Sequence, residues 1–248
     1  MQQVSGFIRS IQVGLPEQGH PHCHEDRPPQ SWSTGIFKRP VRGPIRLQQK
    51  NLEGDGQADL IHHGGVDKAV CVYPSEHWFH WSSVLPQQQL IGGEFGENLT
   101  LEGLTEADVC IGDIFSVGSA VVQISQPRQP CWKLARRWQI KDLAVQVEQT
   151  GFTGWYFRVL QEGVVKSRIP LRLTDRPYPE WTVTTANRIM HQEHSNLKAA
   201  EHLSLCPLLS ASWRHALHQR SQQQNSPDPQ LRQFGDSQSS SSFFPEVL

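Results

Sequence analysis

No stretch of this chain approaches the ~18 consecutive apolar residues that a membrane-spanning helix requires. The N-terminus, MQQVSGFIRSIQVG, lacks a charged start followed by a long apolar run, so no signal peptide is expected. Charge of one sign is missing too. The sequence carries 23 Lys and Arg against 24 Asp and Glu, a formal net charge of -1. There is no broad positive field to favour nucleic acid or an anionic membrane. The five cysteines (Cys23, Cys71, Cys110, Cys131 and Cys206) are odd in number, far apart and form no CxxC pair. That argues against a disulfide framework and points to a reduced, cytoplasmic setting. The C-x4-C-x2-C spacing of a plant-type iron–sulfur site is absent, as is a G-x-G-x-x-G loop after a strand.

What is present reads as short strands cut by turns. Strands are expected at Val4–Val13, Thr34–Lys38, Ile45–Leu47, Ala69–Tyr73, Asn98–Leu101, Asp113–Val117, Ala120–Ser125, Trp155–Leu160 and Pro170–Thr174. Ala69–Tyr73 (AVCVY) is a continuous apolar run, as a buried strand shows. Gly112 and Gly118 bracket one strand as turns, and a proline-rich loop spans Gly14–Gln30. Ser75 is placed as the cap of a short helix, and further helices are expected at Cys131–Trp138 and Lys141–Gln149. The pattern fits a mainly β barrel, residues 1–178. After Pro179 the alternation stops. Thr184–His191, Asn196–Leu203 and Ser212–Gln222 read as a three-helix unit (179–222), with Ser210 and Ser212 as caps. The Ser-, Gln- and Pro-rich residues 223–248 are expected to be disordered.

Three segments could carry chemistry. In Ser125–Leu134 (SQPRQPCWKL) a strand ends, prolines stiffen the turn, and Cys131 opens a helix whose free N–H groups favour a thiolate. Arg128, Lys133, Arg136 and Arg137 add positive charge. Such a thiolate suits a soft metal or nucleophilic attack. The competing reading is a buried structural cysteine, which is how the other four are taken. In Ile61–Val70 (IHHGGVDKAV), Gly64 and Gly65 let backbone N–H groups approach an anion, with His62, His63 and Lys68 as donors. In Gly92–Leu104, Glu97 and Asn98 enter a strand where they could hydrogen-bond a heterocycle, against a plain turn-and-cap role. The HPHCH run (His20, His22, Cys23, His24) has poor spacing for tetrahedral zinc.

Together, and in this order, the motifs resemble the MOSC-domain family: NLEGDGQAD at Asn51–Asp59, HHGGVDKAV at His62–Val70, YPSEHW at Tyr73–Trp78, FGENL at Phe95–Leu99, GDIFSVG at Gly112–Gly118 and SQPRQPCWKL at Ser125–Leu134. The similarity runs from about Val4 to about Thr174 and is strongest to the bacterial subgroup linked to resistance to 6-N-hydroxylaminopurine. It implies a pyruvate-kinase-like β-barrel followed by a small three-helix extension. It also implies a pterin-type molybdenum cofactor, with Cys131 ligating molybdenum and His63, Gly64, Gly65 and Lys68 bordering the cofactor. Arg128 and Lys68 suit its phosphate; Glu97 and Asn98 complete the expected site. The implied activity is reduction of N-hydroxylated purines and related small molecules. Asp55, Asp59, His62 and Glu97 stand as candidates to position substrate or relay protons. With no relay motif of its own, the chain would take electrons from a separate flavin or iron–sulfur reductase. A homodimer is left open; neither nucleic acid nor membrane is expected as a partner. Two alternatives remain: a cofactor or sulfur carrier using Cys131 without turnover, and metal-free Cys–His catalysis.

Overall fold

The computed structural model describes residues 5–19, 32–86, 89–223 and 229–235. His20, His22, Cys23 and His24 fall outside these, as do residues 224–228 and those beyond Gly235.

The strands are β1 (Ser5–Val13), β2 (Glu17–Gly19), β3 (Trp32–Thr34), β4 (Arg39–Pro40), β5 (Ile45–Leu47), β6 (Val70–Pro74), β7 (Leu99–Glu102), β8 (Ile114–Val117), β9 (Ala120–Pro127), β10 (Trp155–Gln161), β11 (Gly163–Val165) and β12 (Pro170–Asp175). Seven of them pair in the order β12-β8-β9-β10-β6-β7-β1, and a further β12–β1 pairing closes the ring. All contacts in the ring are antiparallel except β6–β7, which is parallel. Closure removes free sheet edges, and β4 extends only one end of β1. The expected strand at Thr34–Lys38 lies earlier, at β3, which pairs with β2 as a small separate ribbon. Gly35 explains the stop: a Cβ there would lie 2.5 Å from the Gly56 carbonyl oxygen, so the chain is in backbone-to-backbone contact where the strand was expected.

Alternation along β6 and β10 divides the interior in two. Val70 and Val72 join Trp155, Phe157 and Ile124 in the main core, while Tyr73 joins a second cluster with Trp81, Phe95, Leu134 and Leu143. Both faces of β6 are covered, which is why the run is apolar throughout. Trp155 is fully buried; truncating such a residue to alanine typically costs ~3–5 kcal/mol.

Helices α1 (Trp78–Trp81), α2 (Trp132–Trp138) and α3 (Leu143–Thr150) pack on the second cluster. Ser75 does not cap: a 3-10 turn (Ser75–His77) precedes α1, and neither start has a side-chain cap. The chain then forms α4 (Val183–His191), α5 (Leu197–Ser204) and α6 (Ala211–Ser221), capped by the side chains of Thr182, Asn196 and Ser210. Each cap contributes ~1 kcal/mol. Ser212 lies inside α6 rather than capping it. Asp67 fastens these helices to the barrel: its Oδ2 accepts from the Ala211 N–H at 3.2 Å and its Oδ1 from Arg158. Arg220 donates to the Ile189 and Met190 carbonyls, tying α6 to α4.

One helix stands where composition points to disorder. α7 (Pro229–Phe234) packs on α2 and α3, because Arg232 and Gln233 both reach the Glu148 carboxylate. Three specific polar contacts anchor a segment that buries little apolar surface.

Glu148 also lies 3.7 Å from His191 Nδ1, yet His191 is pushed down to about 3, by burial first and then by Arg232, His194 and Arg220. The carboxylate is already taken by Arg232 and Gln233. An unfolded histidine titrates near 6.5, so the folded chain binds fewer protons between about pH 3 and 6.5. Stability therefore falls as pH drops through that window, by up to about 1.4 kcal/mol per unit. His191→Gln is expected to flatten the dependence. Urea midpoints at pH 7 and pH 4.5 test this, and equal losses in both proteins would sink it.

Candidate functional site

The Cys131 turn, the HHGG loop and the outer faces of β6 and β10 converge on one cleft. His63, Gly64, Lys68, Asn98, Arg128 and Cys131 all line it. Gly65 and Glu97 do not.

Cys131 sits at the N-cap of α2 in extended backbone, its side chain spent on no cap. Its Sγ lies 3.8 Å from His63 Nε2. Burial, followed by Lys133 and Lys68, lowers His63 to about 4. The imidazole is therefore neutral at pH 7.

The loop before His63 is held by Asp59. Its Oδ1 accepts from the Ile61 and His62 N–H groups, and its Oδ2 meets His62 Nδ1 at 3.0 Å. Burial opposes ionisation, but these donors hold Asp59 down to about 2. His62 thus points outward while His63 points in. The Lys68 ammonium is lowered by burial and donates to the His62 carbonyl at 2.7 Å.

Arg128 is the electrostatic centre. It is 6% exposed. Nη2 donates to the Phe95 carbonyl at 2.6 Å, whereas Nη1 is buried with no partner. Burial opposes its charge, but Cys71, Tyr156 and Cys131 around it raise its pKa further. Lys38, Lys68 and Lys133 line the same cleft, and no carboxylate does. Lys38 is paired with the fully buried Asp55; among the described residues, Lys68 and Lys133 form no such ion pair.

Four expectations change. Glu97 is fully buried and accepts from the Gly93 and Phe95 N–H groups and from Thr100 Oγ1, so it staples the loop over β7 instead of meeting a heterocycle. Asn98 lines the cleft, but its side chain already accepts from the Cys71 N–H and donates to the Gln12 carbonyl. Asp55 is consumed by Lys38, the Gly14 N–H and Gln57. Asp59 and His62 pair with each other outside the cleft. None of the four proposed proton-relay residues lines the cleft.

Two unforeseen residues do line it. Cys71 and Tyr156 face each other across β6 and β10. Burial pushes Cys71 up to about 11 and Tyr156 well above its usual range, so both stay protonated. Strand alternation was the available signal. It sets Cys71 and Tyr156 on faces opposite Val70, Val72 and Trp155, but a strand buried on both sides hides it.

A profile of the MOSC domain matches residues 59–168. The chain is 52% identical over 181 residues to the uncharacterized protein YflK of Bacillus subtilis, covering 73% of this chain and 81% of that one. It is 39% identical over 201 residues to protein YiiM of Escherichia coli, 77% and 86% of the two chains. A Gibberella moniliformis protein named Reductase is 31% identical over 179 residues, 71% of this chain but 32% of that longer protein. The crystal structure of YiiM from Geobacillus stearothermophilus superposes with a TM-score of 0.72 at 41% identity, covering 87% of this chain and 99% of that one. The chain belongs to the MOSC-domain family, whose members are associated with the molybdenum cofactor. Within it, YiiM proteins are among its near relatives.

The residues present fit such a group. A phosphate-bearing ligand meets an unpartnered buried guanidinium and two lysines, and a thiol suits a soft metal. Among the described residues, no three His, Cys, Asp or Glu side chains cluster as a closed metal site. A metal here would rest on one thiolate and on its cofactor.

Proposed function

We propose that this protein is a molybdenum-cofactor-dependent reductase of N-hydroxylated compounds such as 6-N-hydroxylaminopurine, with Cys131 ligating the metal. The observation that carries the reading is the unpartnered Arg128 Nη1 in the same carboxylate-free cleft as Cys131. When bound, the cofactor supplies the two-electron chemistry that converts an N–OH to N–H and water, consuming two electrons and two protons.

The chain's own residues do the rest. Arg128 and Lys68 hold the phosphate through charge-assisted donors. Gly64 lets the backbone approach it. Thiolate ligation would release a proton, and His63 Nε2 lies 3.8 Å from the sulfur that would lose it. Tyr156, kept protonated by burial, is a neutral donor on the cleft floor. The cytoplasm and a separate flavin or iron–sulfur reductase complete the reading.

The test is molybdenum per chain in protein purified without oxygen from a cofactor-producing host, with oxidation of reduced methyl viologen by 6-N-hydroxylaminopurine. About one metal per chain and substrate-dependent oxidation are expected, with no turnover on a nicotinamide alone. Metal without turnover would point to the carrier role. No metal, even after cofactor is supplied, would overturn the reading in favour of thiol chemistry.

A further inference from the structure

The residues on either side of Cys131 are both held by the far C-terminal segment. Arg232, on α7, donates through Nη1 to the Pro130 carbonyl at 2.6 Å, and the same nitrogen pairs with Glu148. Gln233 Nε2 donates to the other Glu148 oxygen at 2.7 Å. Two residues on, Gly235 ends the helix at φ 75° against the Trp132 ring. A Cβ there would lie 3.3 Å from Trp132 Cγ, closer than ordinary van der Waals contact. Trp132 is fixed further by the Arg136 guanidinium, 4.4 Å from its ring centroid, and by Trp32 at 5.6 Å.

We infer that α7 is a strap that sets the Cys131 turn, with Arg232 as a positioning residue acting through the Pro130 carbonyl and Gly235 as its second foot on Trp132. α2 has only seven residues, and its N-cap has no side-chain hydrogen bond. A thiol aimed at His63 needs both neighbours fixed, since a loose supporting shell moves a ligand by the ångström that separates a working site from an idle one. One nitrogen of Arg232 serves the Pro130 carbonyl and the Glu148 carboxylate together, so its position ties the turn to α3. The inference goes beyond the reductase reading, since it concerns the presentation of the thiol whatever that thiol binds.

The experiment uses the full-length chain from a host unable to make the cofactor. Each cysteine's alkylation by iodoacetamide is followed by peptide-resolved mass spectrometry in the wild type, Arg232→Ala, Arg232→Lys and Gly235→Val. Local release should raise the Cys131 rate by about threefold or more in Arg232→Ala and in Gly235→Val. Arg232→Lys should fall between these and the wild type. Cys71, Cys110 and Cys206, which are buried, should keep their wild-type rates. Wild-type rates at Cys131 in all three variants would overturn the strap. So would a parallel rise at every cysteine, which would report general loosening. Because no metal is involved, the result stands even if the molybdenum reading fails.

Discussion

Cys131→Ala should purify as a folded protein that has lost its molybdenum and its reductase turnover. The expected fall in turnover exceeds the ~10–100-fold typical of outer-shell changes around a metal, because the ligand itself is removed. The fold should survive for a local reason. Cys131 is half-exposed, its side chain caps nothing, and its one polar contact is His63 at 3.8 Å. Its loss opens no cavity in either core cluster. A thermal midpoint within a few degrees of wild type would show this, since ~1 kcal/mol moves the midpoint of a domain this size by about 2–4 °C. Metal per chain by mass spectrometry and viologen oxidation complete the measurement. A variant that keeps its metal, or works at the wild-type rate, would remove Cys131 from the chemistry.

The second large effect is expected at Arg128. Methionine fills a similar volume but offers no donors, so Arg128→Met leaves a phosphate without its buried partner. Truncating one side of a buried charge pair costs ~2–5 kcal/mol, about 30-fold to several thousandfold in affinity. Arg128→Lys should recover only part of this, because its ammonium must choose between the Phe95 carbonyl and the ligand. The apolar variant also leaves the Phe95 carbonyl unsatisfied at ~1–3 kcal/mol, offset by removal of a buried charge. Retained metal through serial dialysis is the readout. A variant that holds molybdenum as tightly as wild type would show that the unpartnered nitrogen meets no anion.

What the sequence made legible, and what it concealed, follow from the range of the interactions. The strand–turn–helix around Cys131 could be read because prolines and a helical period act within a few residues. The capping of α6 by Ser210 and the turns at Gly112 and Gly118 are similarly local. The Cys71–Tyr156 pair could not be read, since it is created by the register of two strands 85 positions apart in the chain. The role of Glu97 is hidden for a related reason. An acid beside an asparagine at a strand entry looks the same whether it faces a ligand or, as here, three donors of its own loop. In α7 composition misleads because its anchoring is ionic, through Glu148, and hydropathy has no view of that.

The β1–β12 seam has a kinetic consequence. Ser5–Phe7 pair with Pro170–Arg172, so the ring joins the first strand among the described residues to the last. Every residue lining the cleft lies between them in sequence. As the chain leaves the ribosome, the Cys131 turn and the HHGG loop can exist only on an open, edge-bearing sheet until β12 arrives. Pairings this distant are slow to form and leave unsatisfied edges while they wait. The protein is thus most prone to aggregate during its own synthesis, and the last strand to emerge ends that exposure.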